Sequence, residues 1–185
     1  MIPPTLEGGA VRLRPPGSAD FPRLFAWYND PDIVAPFDRF TVDTVDELQA
    51  AVQRAPEEPA SLAPRFVVER KSDGHLLGLV GYYRSHPVLE MTDVWYVLGD
   101  RSERGKGYGR ESVGLLVDYL FHTFEIPRVG ATCDVENAPS YKLLESLGFR
   151  KEGTLRSALF HHGGWHDVLV YGVTRPEWAE RPRRE

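Results

Sequence analysis

Residues 94–121, VWYVLGDRSERGKGYGRESVGLLVDYLF, place a strand, a glycine-rich loop and a helix in immediate succession. The strand, Thr92–Leu98, is rich in β-branched and aromatic residues and is bounded by Gly99 and Asp100. The helix, read over 110–124, carries Val113, Leu116, Val117, Leu120, Phe121 and Phe124 as one broad apolar stripe at helical spacing. Between them lies Arg104-Gly105-Lys106-Gly107-Tyr108-Gly109. Successive backbone N–H groups and the positive end of the helix dipole make such a loop an anion site. Glycine there tolerates positive φ and lets a ligand approach the backbone. Four basic residues against two acidic ones give 100–110 a local charge of +2, in a chain of net charge −5.

Outward from this unit, the chain alternates strands and helices. Val11 and Leu13 alternate with Arg12 and Arg14 in a first strand. A helix follows with Ser18 as N-cap and Phe21, Leu24, Phe25 and Tyr28 on one face; Pro22 is tolerable close to the first turn. Thr44-Val45-Asp46-Glu47 is a capping-box pattern opening a second helix to about Arg54. Three prolines within 55–64 mark a loop. Arg65–Glu69 and Leu76–Tyr83 read as a hairpin around Ser72-Asp73-Gly74. After the central helix comes a strand, Arg128–Val135, with Val129, Ala131, Cys133 and Val135 on one face. A short helix, Ala138–Leu147, ends at Gly148-Phe149, where glycine suits the left-handed position after a helix. Leu155–Phe160 and Val168–Val173 form a closing hairpin through His161-His162-Gly163-Gly164. From Arg175 the chain reads as a frayed charged tail, so the expected layout is one domain over 1–175 and a tail over 176–185. The element order implies an α/β fold: a mixed sheet with helices on both faces, without doubly wound regularity.

The 185 residues suffice for one substantial core. No apolar run reaches the ~18 residues of a membrane span, and Met1–Glu7 lacks the features of a signal peptide. The single cysteine, Cys133, cannot form an internal disulfide, so a cytoplasmic location is expected. The acidic balance argues against nucleic acid as a partner and suits a cationic acceptor.

Three phosphate binders compete for the loop. A Walker loop needs Ser or Thr after Gly-Lys, and Lys106 is followed by Gly107. A dinucleotide fingerprint needs G-x-G-x-x-G early in a βαβ unit, whereas this loop is G-x-G-x-G and follows a hairpin. The remaining match is Arg104-x-x-Gly107-x-Gly109 to the Arg/Gln-x-x-Gly-x-Gly/Ala signature of the Gcn5-related N-acetyltransferase (GNAT) superfamily. Together with Val94–Leu98, Asn137-Ala138-Pro139-Ser140, Gly148-Phe149, Glu152-Gly153 and Trp165-His166-Asp167, the stretch from Thr92 to Val173 resembles the RimJ/RimL-like branch.

The resemblance implies a GNAT-type, mostly antiparallel central sheet and a direct transfer of acetyl from acetyl-CoA to a primary amine. The acceptor it implies is a protein or peptide N-terminus or a small cationic metabolite or antibiotic, and it leaves room for a homodimer. It further implies that the backbone of Val97, Leu98 and Gly99 pairs with the pantetheine arm, as in β-augmentation. Arg104, Gly105, Lys106, Gly107, Tyr108, Gly109 and Arg110 would cradle the pyrophosphate, and Asn137 would bind the arm further along. Asn137 is also a good N-cap, and Lys142 is either a phosphate contact or an exposed helical lysine.

Amine attack on a thioester requires a proton route, oxyanion stabilisation, orientation and a proton for the thiolate. The Leu98 N–H is placed to meet the oxyanion. Many superfamily members carry a tyrosine acid seven residues after the asparagine, where this chain has Leu144. In RimL-like proteins a serine three residues after the asparagine takes the place near the sulfur, a role the resemblance implies for Ser140, with Tyr141 as the alternative donor. Asp93 or Glu90 is the candidate base, acting through water, and Asp167 is read as an anchor of the closing hairpin. Trp95, Tyr96, Trp27 and Tyr28 are candidates for lining an acceptor pocket. His161, His162 and His166 read as an exposed turn rather than a metal site, and no metal is expected. The loss of the tyrosine keeps a second reading open, a catalytically silent acyl-CoA-binding sensor or interaction module.

Overall fold

The computed structural model describes residues 4–30, 33, 44–54, 66–84 and 91–181. The proline-rich segment 55–64 and Glu90 lie outside the described residues. The elements run β1 (Leu6–Glu7), β2 (Val11–Arg14), α1 (Phe21–Tyr28), α2 (Val45–Arg54), β3 (Phe66–Arg70), β4 (Leu76–Arg84) and β5 (Thr92–Leu98). After a 3₁₀ turn at Arg101–Glu103 come α3 (Tyr108–Thr123), β6 (Arg128–Asp134), α4 (Ala138–Ser146), β7 (Arg150–His161), β8 (Gly164–Thr174) and α5 (Arg175–Glu180).

The strands form one eight-stranded sheet in the order β1-β2-β3-β4-β5-β6-β8-β7. Every neighbouring pair is antiparallel except β5 and β6. On one face α3, α4 and α5 bury Val113, Leu116, Val117, Leu120, Leu144 and Trp178 against Val11, Leu13, Phe66, Val94, Ala131 and Tyr171. On the other, α1 and α2 bury Leu24, Trp27, Tyr28 and Leu48 against Val67, Leu79 and Trp95. One bulge serves both faces: Val68 pairs with Gly78 but Glu69 with Leu76, so β4 holds Leu77 as an extra residue. Leu76 and Leu79 therefore face α1–α2, while Leu77 and Val80 face α3.

Local chemistry explains several boundaries. The α1 N-cap is Asp20, not Ser18, and its carboxylate does not cap the helix. Arg14 engages both Asp20 oxygens, at 2.7 and 2.9 Å, and the Gly17 N–H donates to Oδ2 at 2.7 Å. Arg14 and Arg12 also donate to Glu69 at 2.6 Å each, so two buried carboxylates are paired with two guanidiniums at the β2–β3 edge. Burial opposes ionisation of Asp20 and Glu69, but the arginine hydrogen bonds prevail and hold both below the usual carboxylate range. Thr44 Oγ1 accepts from Glu47 N at 3.1 Å, as the capping-box pattern requires.

Further expectations are corrected. The central helix starts at Tyr108, which makes Gly107 its N-cap. Val135 is 43% exposed and lies past the end of β6, and Phe124, 39% exposed, caps α3 rather than joining its buried stripe. Arg175–Glu180 is not frayed but helical: Thr174 and Glu177 form a capping box, and Trp178 is buried against Phe121 and Phe149. Trp178 Nε1 donates to Asp118 at 2.8 Å, and the Arg181 guanidinium stacks 3.2 Å from its ring. Charge composition suggested fraying; one tryptophan with a polar handle decides otherwise.

Candidate active site

β5 and β6 pair only at Thr92–Val129 and Asp93–Gly130, although β5 continues to Leu98 and β6 to Asp134. Beyond that pair the two parallel strands part and leave a wedge in the middle of the sheet. The alternation of β5 allots its side chains to two sides. Tyr96 and Leu98 pack toward α3 and α4, whereas Trp95 and Val97 pack toward α1 and α2, and Asp93 shares their parity at the apex.

The glycine loop lies beyond the open end of the wedge. Gly105 and Gly107 have φ of 78° and 88°, and a Cβ on either would meet nothing within 4 Å. Conformation, not local crowding, therefore requires glycine at both positions. Because Gly107 is the N-cap, no side chain caps α3, and the first-turn N–H groups of this 16-residue helix present its positive end. The basic side chains are engaged elsewhere. Arg104 donates to the Leu98 carbonyl at 2.9 and 3.2 Å, Lys106 pairs with Glu103 at 2.9 Å, and Arg110 donates to Ser146 Oγ at 3.1 Å. In this structure they brace the loop. Tyr108 opens the helix, and Gly109 is buried against Leu98 and Leu143. Gly99 is buried under the Trp27 indole, which a Cβ would strike.

At the other lip, Asn137 caps α4 by accepting from Ser140 N at 3.2 Å. Ser140 Oγ lies 2.8 Å from the Tyr96 hydroxyl, which also donates to the Ser140 carbonyl at 3.3 Å. Burial pushes the Tyr96 phenol above its usual range, so it stays protonated. Cys133, across the wedge on β6, is pushed up to about 11 by burial, against a hydrogen bond with Ser140 that acts the other way. Leu144 is completely buried, so the position seven residues after Asn137 is core here. Tyr141 is partly buried against the same core and Lys142 is exposed. Of the aromatics expected to line an acceptor pocket, Trp27, Tyr28 and Trp95 are core residues. Tyr96 meets a polar group of the wedge, Ser140, a partnership the sequence reading missed. Its parity with Leu98 was the available signal.

Asp93 stands at the apex, beside Gly130, and adds to the burial that pushes Tyr83 up to about 12. Asp167 accepts from Ser157 N at 2.9 Å and anchors the β7–β8 hairpin as expected. The histidines depart from expectation. His162 is exposed, but the His161 and His166 side chains are 9% and 19% exposed and both meet the buried Asp134 at the end of β6.

The match to known proteins follows this geometry. Residues 10–150 match the model of the acetyltransferase (GNAT) domain. The chain belongs to the GNAT family. It is an acetyl-CoA-dependent N-acetyltransferase by that membership and by its relatives. It is 29% identical over 176 residues to the uncharacterised N-acetyltransferase p20 of Bacillus licheniformis, covering 95% of this chain and 98% of the relative. Among solved structures, RimJ of Mycobacterium smegmatis, in complex with CoA-disulfide, superposes with TM-score 0.76 at 25% identity, over 94% of this chain and 87% of the other. The spermidine N-acetyltransferase of Vibrio cholerae, with CoA and spermine, shares the fold of this acetyltransferase with TM-score 0.80 at 22% identity, over 94% and 100%. The RimJ/RimL-like resemblance and the mixed, mostly antiparallel sheet thus hold. No helix among the described residues is long and apolar enough to cross a membrane.

Proposed function

We propose that the enzyme transfers acetyl directly from acetyl-CoA to a primary amine in a ternary complex seated in the β5–β6 wedge. The observation that carries this reading is the wedge itself, with the Tyr96–Ser140 hydroxyl pair at one lip and the uncapped start of α3 beyond its mouth. An extended, amide-bearing pantetheine arm suits the edge that β5 exposes at Val97, Leu98 and Gly99. The pyrophosphate suits the amides of Gly105, Gly107, Tyr108 and Gly109. Asn137 and the braced Arg104, Lys106 and Arg110 complete the cofactor-binding set.

In the proposed reaction the amine nitrogen attacks the thioester carbonyl, the developing oxyanion meets the Leu98 N–H, and the C–S bond breaks. The amine proton leaves through water to Asp93, on the α1–α2 side of the wedge. Ser140 Oγ–H, oriented by Tyr96 Oη–H, relays a proton to the thiolate from the α4 side and regains one from solvent. Asp93 returns the amine proton to solvent, so free CoA thiol leaves and every side chain ends in its starting state. The acceptor named for the Vibrio cholerae relative, spermidine, is a cationic amine, and the net charge of −5 favours an acceptor of that charge. Thiol release from acetyl-CoA with a panel of polyamines, aminoglycosides and N-terminal peptides tests the reading. Turnover on a primary amine supports it; binding of acetyl-CoA without turnover on any amine would identify the silent acyl-CoA-binding module instead.

A further inference from the structure

We propose that Asp134, His161 and His166 bind a divalent transition-metal ion of the zinc class, pinning the β7–β8 hairpin to the end of β6. The hairpin closes through a two-residue turn, His162-Gly163, with φ of 48° and 78°. That tight turn pairs His161 with Gly164 and Leu159 with His166. Antiparallel partners share a face, so both imidazoles emerge on one side of the hairpin. Asp134 pairs with Val168, two residues along β8 from His166, and its side chain lies on that same side.

The three groups converge. His161 Nε2 contacts Asp134 Oδ2, His166 Nδ1 lies 3.8 Å from the same oxygen, and the two imidazoles stack at 3.8 Å with an interplanar angle of 15°. One ligand atom from each residue falls within 4.8 Å of the others. Ligands at zinc–nitrogen and zinc–oxygen distances of ~2.0–2.1 Å sit roughly 3.4 Å apart in a tetrahedron. A metal ion therefore requires only that the His161–Asp134 contact open and the other spacings close slightly.

The supporting contacts fit ligation. Glu136 N donates to Asp134 Oδ1 at 2.6 Å, which leaves Oδ2 turned to the imidazoles. His161 Nδ1 lies 2.8 Å from His162 Nδ1, which leaves Nε2 as its ligand atom. Glu136 Oε2 is 3.5 Å from His166 Nδ1 on a side chain 72% exposed, within reach as a fourth ligand. Two imidazoles with a carboxylate select zinc-like ions over magnesium or calcium, which take oxygen sets.

The test uses untagged full-length protein, stripped with EDTA and desalted, and titrated with Zn²⁺ by calorimetry and with Co²⁺ by absorption. One ion per chain and a four-coordinate cobalt spectrum are expected. Changing an outer-shell group costs ~10–100-fold in metal affinity, so removing both imidazoles in H161N/H166N should weaken binding by more than about 100-fold. Zinc should raise the Tm of the wild type and leave that of the double variant unchanged, with both folded in EDTA by circular dichroism. Should the variant misfold, imidazole NMR of the wild type decides: Zn²⁺ must move the His161 and His166 ring signals and leave His75 and His122 in place. Absence of stoichiometric binding, unchanged affinity in the double variant, or ring shifts elsewhere overturns the site.

Discussion

Replacing Ser140 with alanine, alone and combined with Tyr96→Phe, separates a proton donor from the group that orients it. A general acid contributes ~10²–10⁴-fold to a rate, and a thiol of pKa about 8.5 leaves with little help, which places Ser140 at the low end. S140A should lower kcat about 100-fold, or about 2.7 kcal/mol at 1.36 kcal/mol per tenfold. Tyr96 Oη lies 2.8 Å from Ser140 Oγ and acts through it, so Y96F should cost about 10-fold, near 1.4 kcal/mol. In the S140A background there is nothing left to orient, and Y96F should add almost nothing, a coupling of about 1.4 kcal/mol. The assay is thiol release at saturating acetyl-CoA and amine, with cofactor affinity measured by calorimetry and melting curves confirming the fold. Unchanged kcat in S140A removes Ser140 from the chemistry. Independent, additive losses show that Tyr96 does not work through it.

Three further outcomes check other parts of the structure. Gly107→Val forces a β-branched residue to φ 88°, a strain above ~1 kcal/mol, and should weaken acetyl-CoA binding at least about tenfold in calorimetry; wild-type affinity would contradict the loop assignment. Trp178→Ala should destabilise by about 3–5 kcal/mol in urea unfolding, because it empties a site 4% exposed between Phe121 and Phe149; a loss below about 1 kcal/mol would restore the frayed-tail reading. Asp20 has a lowered folded pKa, so its contribution is present above the ordinary aspartate value of about 3.9 and lost as pH falls through the folded one. Asp20→Asn should therefore cost about 2 kcal/mol at pH 7 and visibly less at pH 3; an equal deficit at both pH values would show that the Arg14 pair is not the cause.

Several features were legible from the chain alone because they depend on neighbours in sequence. The α3 stripe, the Thr92–Leu98 strand, the Thr44 cap on α2 and the glycines at positive φ are written in spacing and conformational preference, and each is present. The loop motif pointed to the acetyltransferase family for the same reason: Arg104-x-x-Gly107-x-Gly109 is a short contiguous pattern.

What the chain could not state is which side chains meet across it. Ser140 was readable as a candidate, but its partner Tyr96 lies 44 positions away and is brought to 2.8 Å only by packing α4 over β5. The basic loop looked like a set of phosphate ligands, yet Leu98, Glu103 and Ser146 hold its side chains, partners that only the folded loop brings within reach. Asp134 and the hairpin histidines, 27 positions apart at their closest pairing, looked unrelated until a two-residue turn and the β6–β8 register brought them together. Sequence determined the elements and the glycine loop, because periodicity and backbone preference are local. Tertiary structure decided the wedge, the hydroxyl pair and the histidine cluster, because those depend on strand divergence and register, which no run of residues contains.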